Sequence, residues 1–336
     1  MAQEKIRLLV NLPPTFFTVP SLRPYLRRLE GLATLRQTSH DTQEQLAPDL
    51  AWAEAVLMWA WPDLDDAMLD QAPNLRFVGQ INTTRTTVRT CLTRGVAISE
   101  VRHCWSPAVA EMALALILCG LRKVSDYHAA MRRAEERWVT HFPADIDPLE
   151  RELTGMHVGI VGFGGIGQRL AELLQPFHVT LRIYDPFIPE AIAQQHNASP
   201  VPLLELVRES DVVVLCAANT QEARHLVDRQ VIAAFKANAV LVNVGRSMLV
   251  DTQALLERLE QGDLIAMLDV FDQEPLEPDS PLRTLPNAYL TPHRAGGLTS
   301  SIGRALTMLA DDLEAFLAGK ERRYAVTEAM LACFAG

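Results

Sequence analysis

The sequence lacks the features that mark secreted, membrane-spanning or metal-clustered proteins. It contains five cysteines: Cys91, Cys104, Cys119, Cys216 and Cys333. None forms a C-x-x-C pair, and the odd number gives no disulfide framework, so a reducing cytoplasm is the expected location. The apolar run 112–119 is too short to cross a bilayer, so no membrane partner is expected. Lys5 and Arg7 precede only a short apolar run, which predicts no signal peptide.

Repeats, low-complexity tracts and an excess of basic residues are also missing. Lysine and arginine together number 31 against 41 acids, and a net charge of −10 argues against general nucleic-acid binding. Apolar residues make up 49% of the chain and charged residues 21%, which is typical of a globular protein with an ample core. A length of 336 residues suggests two domains.

Residues 158–170 read VGIVGFGGIGQRL, an apolar run that leads into glycines at G-x-G-x-x-G spacing. Gly162 would permit the tight turn out of a buried strand, and Gly164 would let the backbone approach a pyrophosphate. Gly167 would let the following helix pack close to the strand. The N-terminus of that helix favours an anion through its free N–H groups and its dipole. The spacing predicts a dinucleotide-binding unit, although turns also collect glycine for other reasons.

The residues that follow strengthen this interpretation. The segment TLRIY at 180–184 has the pattern of a second strand and ends directly before Asp185, 18 residues after Gly167. An acid about 20 residues after the glycines accepts hydrogen bonds from a ribose 2′-hydroxyl. The alternative is an aspartate that only caps a loop before Pro186. Because a carboxylate repels a 2′-phosphate and no arginine follows it directly, we expect NAD rather than NADP.

Strands and helices alternate along the whole chain, which predicts parallel sheets with helices on both faces. In the first hundred residues we expect strands at 6–10, 32–36, 55–58, 75–79 and 95–98, and helices at 21–30, 43–50 and 63–71. Ser106-Pro107 opens a long helix predicted to run to Met131, and 132–152 is expected to be a loop. Further strands are expected at 211–215, 239–244, 264–270 and 288–290, with helices at 203–208, 228–235, 252–261 and 298–318.

Three polar side chains stand just after predicted strands of the second half. Arg246 follows the strand at 239–244. Glu274 lies in DVFDQEP, and His293 lies in TPHRAGG. Open α/β sheets bind ligands at the carboxyl ends of their strands. A single histidine is commonly structural, and a glutamate in a proline-rich loop is commonly just exposed. Three such residues at equivalent places predict a shared site.

Several motifs in order resemble the D-isomer-specific 2-hydroxyacid dehydrogenase family. They span residues 75 to about 318 and read AVAEMALALIL, VGIVGFGGIGQRLA, SDVVVL, LVNVGRSMLVD, LDVFDQEPL and LTPHRAGG. The resemblance implies an α/β fold of two doubly wound parallel-sheet domains. A flavodoxin-like substrate domain would comprise 1–104 and 295–336, and a Rossmann NAD domain would comprise 105–294. It also implies a homodimer formed through the helix that begins at Ser106.

The resemblance implies an oxidoreductase that transfers a hydride between NAD(H) and a 2-hydroxy or 2-oxo acid, with D-stereospecificity. His293 matches the family's acid/base, which donates a proton to the ketone during reduction and accepts one during oxidation. Glu274 would pair with His293 and favour the imidazolium. Arg246 would polarise the carbonyl and hold the carboxylate with its planar fork of donors.

The resemblance also assigns cofactor contacts beyond the three glycines, and no metal is expected. Gly165 and Ile166 match the pyrophosphate contact, and Cys216 stands at the adenosine edge. Asp269 matches a residue on the carboxamide side of the nicotinamide. The loops under the ring match these residues: Val244, Gly245, Arg246, His293 and Gly296.

Departures from the family pattern concern mainly the substrate. Ser247 replaces the glycine that usually follows the arginine, and Cys216 replaces a histidine. At 80–85 the family has a longer glycine-rich loop whose amides bind the substrate carboxylate. Here the stretch is QINTTR, and we expect Asn82, Thr83 and Thr84 to donate hydrogen bonds instead.

Two other functions compete with a hydroxyacid dehydrogenase. The first is an NAD enzyme on the same scaffold that acts on another small anion, such as formate or phosphite, because relatives of that kind vary around Asn82 or Glu274. The second is a non-catalytic NAD-sensing interaction protein, although the sequence shows no interaction motif.

Three tryptophans lie near the expected substrate site. Trp59 and Trp61 follow a predicted strand, and Trp105 precedes the long helix. Their ordinary role would be core or dimer contact. Together with Arg85 and Arg102 they lead us to expect a pocket larger than glyoxylate needs, for a bulkier 2-oxo acid with an acidic or hydroxylated far end.

Overall fold

The computed structural model describes residues 5–334, and for 332 and 333 it describes the backbone alone. Within these residues the strands pair in parallel throughout two separate sheets of five and seven strands. The strands are β1 Ile6–Asn11, β2 Ala33–Thr38, β3 Ala55–Met58, β4 Phe77–Gln80, β5 Ala97–Glu100, β6 His157–Val161, β7 Thr180–Tyr184, β8 Ser199–Pro200, β9 Val212–Leu215, β10 Ala239–Asn243, β11 Leu264–Leu268 and β12 Ala288–Leu290. The predicted α/β class with two parallel sheets is confirmed.

Helices connect the strands in the manner of parallel sheets. They are α1 Thr15–Thr18, α2 Arg23–Leu32, α3 Gln43–Trp52, α4 Asp66–Asp70, α5 Arg85–Thr93, α6 Ser106–Arg122, α7 Val124–Arg133, α8 Gly165–Leu174, α9 Glu190–Gln195, α10 Leu203–Glu209, α11 Arg229–Ala233, α12 Thr252–Glu260 and α13 Thr299–Leu317. Short 3-10 turns supplement them, including Arg102–Trp105 and Ser247–Leu249.

The chain divides into two compact units, one that ends at Trp105 and resumes at Leu298, and one formed by Ser106–Gly297. These divisions lie one residue and three residues from the predicted domain boundaries. In the first unit the strand order is β2-β1-β3-β4-β5. Strands β3 and β4 are buried along their whole length, which explains their nearly continuous apolar sequence. Helix α13 packs into the core of this unit through Leu306, Leu309 and Leu313.

In the second unit the strand order is β12-β11-β10-β9-β6-β7-β8. Counted within the unit, β6 is the first strand, and the winding reverses between β6 and β9, as in dinucleotide-binding sheets. The residues that follow β6, β7, β9, β10, β11 and β12 therefore emerge at one edge. That edge carries every residue that the sequence assigned to the cofactor or to the acid/base.

One helix was predicted with the wrong end, and another, α5, was not predicted. The helix expected from Ser106 to Met131 ends at Arg122, because Lys123 adopts a left-handed backbone with φ +50° and α7 begins afresh behind it. Helix α5 was not predicted, because RTTVRTCLT is rich in β-branched residues of weak helix propensity. Its stability comes from the Thr84 cap and from the burial of Val88 and Cys91.

One helical stretch, Arg102–Arg122, is long and apolar enough to cross a membrane by length and composition, with 56% of its most apolar window buried in the protein. The uninterrupted apolar run 112–119 covers only part of this stretch and did not predict it. Inside the second unit α6 lies against the sheet. A Cβ built on Gly120 would stand 3.1 Å from Met267 Sδ and 3.2 Å from Val240 Cγ1. Burial against β10 and β11 accounts for the apolar stripe.

Candidate active site

The glycine turn after β6 is shaped by close backbone approach. Gly162 has φ +87°, and a Cβ there would lie 2.4 Å from Ala217 Cα. A Cβ on Gly167 would lie 2.5 Å from the carbonyl oxygen of Gly162. A Cβ on Gly164 would meet nothing within 4 Å, so the backbone there faces open space. The first and third glycines are required by the protein itself, while the second leaves room for a ligand.

Helix α8 begins at Gly165, so the amides of Gly165 and Ile166 have no partner inside the helix and are available to an anion. Asp185 stands directly after β7, beside this turn. Its Oδ2 accepts from the Phe163 amide at 2.7 Å, and its Oδ1 accepts from the Phe187 amide at 2.9 Å. Each carboxylate oxygen keeps a further lone pair for a ribose hydroxyl. These residues fit an adenine dinucleotide with its pyrophosphate on α8 and its ribose on Asp185.

The neighbouring strand ends form the back of this turn. Cys216 donates its amide to the Val161 carbonyl at 2.8 Å, and burial raises the pKa of its thiol to about 12. The thiol is therefore neutral and serves as a small apolar wall. Val244 and Gly245 are buried, and a Cβ on Gly245 would lie 3.1 Å from the Leu215 carbonyl oxygen. A larger residue at Gly245 would push the β10 end away from β9.

Glu274 and His293 form a close polar pair. His293 Nδ1 lies 2.6 Å from Glu274 Oε2, with side chains 46% and 36% exposed. Because Nδ1 faces a carboxylate, it carries a proton in both charge states of the ring. The remaining nitrogen, Nε2, is the atom left to exchange a proton with a ligand.

Glu274 is held in its charged form. Partial burial on its own would raise the pKa of Glu274, but hydrogen bonds from His293 and from the Phe271 amide, at 2.6 and 3.0 Å, outweigh it and lower the pKa below its ordinary value. The positive charge of Arg246 acts in the same direction. The structure thus brings Arg246, Glu274 and His293 into one electrostatic group.

The backbone at Arg246 is held by Asn243, a residue that the sequence analysis did not single out. Asn243 is buried. It accepts from the Gly245 amide at 3.1 Å and donates Nδ2 to the Arg246 carbonyl at 3.0 Å. The exposed guanidinium donates to the Gly245 carbonyl at 2.7 Å. An asparagine three residues before a strand-end arginine is the signal that could have indicated this turn.

Asp269 is fully buried and ties down the segment that carries His293. Its Oδ1 accepts from the Thr291 hydroxyl at 2.6 Å and from the Arg294 amide at 2.9 Å, and its Oδ2 accepts from the Ala295 amide at 2.9 Å. His293 itself has φ +48°, a left-handed conformation that costs energy for a residue with a side chain. The buried carboxylate stabilises this conformation through the amides on its far side.

In the first unit, the segment after β4 uses its side chains within the protein. Asn82 Oδ1 accepts from Trp105 Nε1 at 3.3 Å, and the Thr83 hydroxyl donates to Gln80 Oε1. The Thr84 hydroxyl donates to Asp63 Oδ1 at 2.6 Å and caps α5. The threonine hydroxyls expected to donate to a substrate therefore already have acceptors.

Other donors of this segment remain available. Among residues 5–334, neither Asn82 Nδ2 nor the amides of Asn82, Thr83 and Thr84 meet an acceptor. Gln80 is fully buried, and its Nε2 has no partner in the same part of the chain. Arg85 Nε is likewise buried without one. The segment can therefore donate hydrogen bonds to an anion from its backbone amides and its side-chain amides rather than from hydroxyls.

Arg102 was expected to supply a second cationic contact and does not stand free to do so. Its Nε lies 2.7 Å from Glu100 Oε2, and its guanidinium lies 4.1 Å from the centre of the Phe334 ring. Among the side chains that the structure describes, no group of three or more histidine, cysteine or acidic residues is arranged to hold a metal ion.

Comparison with protein families matches residues 114–295, more than half of the chain, to the model described as D-isomer specific 2-hydroxyacid dehydrogenase, NAD binding domain. The glyoxylate reductase of Aeropyrum pernix is 34% identical over 271 residues, which cover 80% of this chain and 81% of that protein. The D-3-phosphoglycerate dehydrogenase of Methanocaldococcus jannaschii is 28% identical over 90% of this chain, but the chain spans only 57% of its length.

Among solved structures, a phosphoglycerate oxidoreductase from Rhizobium etli superposes with a TM-score of 0.82. It covers 96% of this chain and 99% of its own, at 22% identity. At that identity the likeness concerns the fold alone.

Proposed function

Because the chain belongs to the D-isomer-specific 2-hydroxyacid dehydrogenase family, we propose that it is an NAD-dependent oxidoreductase that interconverts a 2-oxo acid and the D-2-hydroxy acid. The observation that carries this proposal is the contact of 2.6 Å between His293 Nδ1 and Glu274 Oε2 beside Arg246. Residues 106–297 serve as the NAD-binding domain and the first unit as the substrate domain.

The α8 amides and Asp185 would hold NAD, whose nicotinamide would supply or accept the hydride. His293 Nε2 delivers a proton to the ketone oxygen in reduction and receives it back in oxidation. Glu274 stabilises the imidazolium through Nδ1, and Arg246 stabilises the negative charge that develops on the carbonyl oxygen. Asp269 keeps the His293 segment in its left-handed conformation.

The substrate carboxylate is assigned to the segment that follows β4. The amides of Asn82, Thr83 and Thr84 and the Asn82 Nδ2 supply the donors. These free donors in the shorter, glycine-free segment support a carboxylate as the group it holds.

The test is NADH consumption with a panel of acids: glyoxylate, hydroxypyruvate, larger 2-oxo acids, and formate and phosphite assayed with NAD. We expect turnover of 2-oxo acids and a D-configured product by chiral chromatography. Turnover of formate or phosphite alone would instead indicate an NAD enzyme that acts on another small anion. NADH binding without any turnover would select a sensor.

We predict a preference for NADH over NADPH of about 100-fold in kcat/KM, because the Asp185 carboxylate would repel a 2′-phosphate. The Asp185→Ser/Pro186→Arg double variant should narrow the ratio to about tenfold or less. The Pro186→Arg single variant, which retains the carboxylate, serves as the control. Its preference for NADH should lie between that of the unmodified protein and that of the double variant. Equal use of both cofactors by the unmodified protein would contradict the prediction.

We predict that Glu274→Gln moves the alkaline limb of the pH profile for ketone reduction to lower pH. The lowered pKa of Glu274 keeps its carboxylate charged at neutral pH, so the variant removes a charge that favours imidazolium. Because both side chains are about half exposed, we expect a displacement of about 0.5–1 pH unit. The measurement is kcat/KM against pH, and an unchanged profile would mean that Glu274 does not act on His293.

We further propose a homodimer through α6 and the region that follows it. Seven of the eleven large apolar side chains that are exposed in the described chain lie between Val124 and Ile146. Such a concentration is typical of a surface covered by a partner. Light scattering should give twice the chain mass of 37.3 kDa, and a Met131→Asp/Phe142→Asp variant should give the single mass. A monomeric unmodified protein would contradict this.

A cytoplasmic location is also proposed. It rests on the free thiols of Cys91, Cys104, Cys119 and Cys216, which suit a reducing compartment. Cell fractionation with detection of the protein outside the cytoplasmic fraction would refute it.

A further inference from the structure

The first unit contains a cleft at the point where its sheet reverses direction. In the order β2-β1-β3-β4-β5 the winding changes between β1 and β3. The crevice outside the carboxyl ends at such a point is the usual ligand position of an open α/β sheet. Asn11 from the end of β1, His40 and Asp41 from the turn after β2, and Trp59 and Trp61 from the end of β3 line one small, open cleft there. The sequence analysis expected Trp59 and Trp61 near the substrate, whereas Asn11 and Asp41 have no role assigned above.

An aromatic wall leads from the proposed carboxylate segment to this cleft. Trp105 donates its Nε1 to Asn82 Oδ1 at 3.3 Å, and its ring lies edge to face against Trp59 with centroids 5.8 Å apart. Trp59 in turn packs edge to face against Trp61, again at 5.8 Å. A ligand anchored at Asn82 would therefore run along indole rings toward Trp61, whose side chain is 43% exposed.

The far end of the wall carries a carboxylate without a basic partner. Trp61 Nε1 donates to Asp41 Oδ1 at 3.1 Å, and Asp41 Oδ2 has no donor among the described residues. The nearest basic side chain in sequence, Arg36, lies 2.6 Å from Asp49. Hydrogen bonds from His40 and Arg36 lower the pKa of Asp49 despite the burial that opposes this, so that pair is already neutralised. From residue 37 to residue 75 the sequence has no lysine or arginine.

We propose that this cleft is a specificity subsite for the far end of the substrate and that it takes a cationic group. The inference rests on the proposed function and specifies its substrate class: a 2-oxo acid that carries an ammonium or guanidinium at the end of its chain. A cation is attracted both to the faces of the indole rings and to the Asp41 carboxylate. An anionic end would meet Asp41, and His40, the basic side chain that lines the cleft, is already paired with Asp49 at 2.8 Å. This proposal differs from the acidic or hydroxylated far end expected from the sequence.

The test compares three 2-oxo acids of similar length: 5-guanidino-2-oxopentanoate, 2-oxohexanoate and 2-oxoadipate. We expect kcat/KM to fall in that order, by at least about tenfold between the first and the last. In the Asp41→Asn variant, the ratio of kcat/KM for the guanidino acid to kcat/KM for 2-oxohexanoate should fall about tenfold. The change should come mainly from a higher KM for the guanidino acid. Glu44→Gln removes a nearby acid that does not line the cleft and should leave the ratio unchanged. Trp61→Leu should lower the ratio more than Trp61→Phe, which keeps a π face.

A wild-type preference for the neutral or the anionic acid, or an unchanged ratio in Asp41→Asn, would overturn the subsite and leave the proposed function standing. Failure of every 2-oxo acid to be reduced would count against the proposed function instead. In that event, quenching of tryptophan fluorescence by the guanidino acid decides the subsite. Binding that weakens in Asp41→Asn and not in Glu44→Gln supports it, and equal binding by both variants overturns it.

Discussion

His293→Ala is expected to lower kcat for 2-oxo acid reduction by about 10²- to 10⁴-fold, the range that a positioned acid/base contributes. The loss arises because Nε2 is the ring nitrogen left to exchange a proton once Nδ1 faces Glu274 at 2.6 Å. NADH should still bind, because the α8 amides and Asp185 remain in place. Stopped-flow kinetics with NADH titration separates these two effects.

The control for backbone strain is His178→Ala. His178 is exposed, lies in the same unit and has φ +52°, close to the +48° of His293, but it stands before β7 at the opposite edge of the sheet. The His178→Ala substitution should change kcat by less than about twofold. If His293→Ala retained nearly full activity with every substrate of the panel, the acid/base assignment would be wrong.

Arg246→Ala is expected to lower kcat/KM by about 10²- to 10³-fold, because it removes preorganised donors from the developing oxyanion and from the carboxylate. Arg246→Lys should recover about tenfold of this, since an ammonium keeps the charge but lacks the planar fork. Guanidinium ion added to the alanine variant should restore part of the rate. Steady-state kinetics over substrate concentration gives both kcat and KM.

Arg229→Ala is the matched control for the loss of one arginine in the second unit. Arg229 is exposed and pairs with Glu257 on the surface, so its removal should cost little in rate. A loss in Arg246→Ala no larger than that in Arg229→Ala would remove Arg246 from the catalytic group.

Much of the second unit could be predicted from the sequence because its signals are local. The glycine spacing, the strand that follows and Asp185 lie within 28 consecutive residues, and each is required by a backbone turn or a short hydrogen bond. Arg246, Glu274 and His293 could be grouped because parallel strands bring their carboxyl ends to one edge. Their order along the chain was therefore enough to predict their proximity.

The partners of those residues could not be predicted in the same way. Asp269 meets Arg294 and Ala295 across more than 20 residues of sequence, and Trp105 meets Asn82 across a comparable gap. Periodicity reports which face of an element is buried, but it carries no information on which buried donor meets which acceptor. The contact between the Thr84 hydroxyl and Asp63, 21 residues away, could not be predicted for this reason.

The sequence by itself determined the α/β class, the cofactor turn and the three strand-end residues. Each depends on hydrophobic periodicity or on the conformations that a few consecutive residues allow. Only the tertiary structure decided the contact between Thr84 and Asp63 and the placing of Asp41 beside Trp61. Those outcomes depend on distances between elements that packing sets, and electrostatic and hydrogen-bond energies vary with such distances rather than with spacing along the chain.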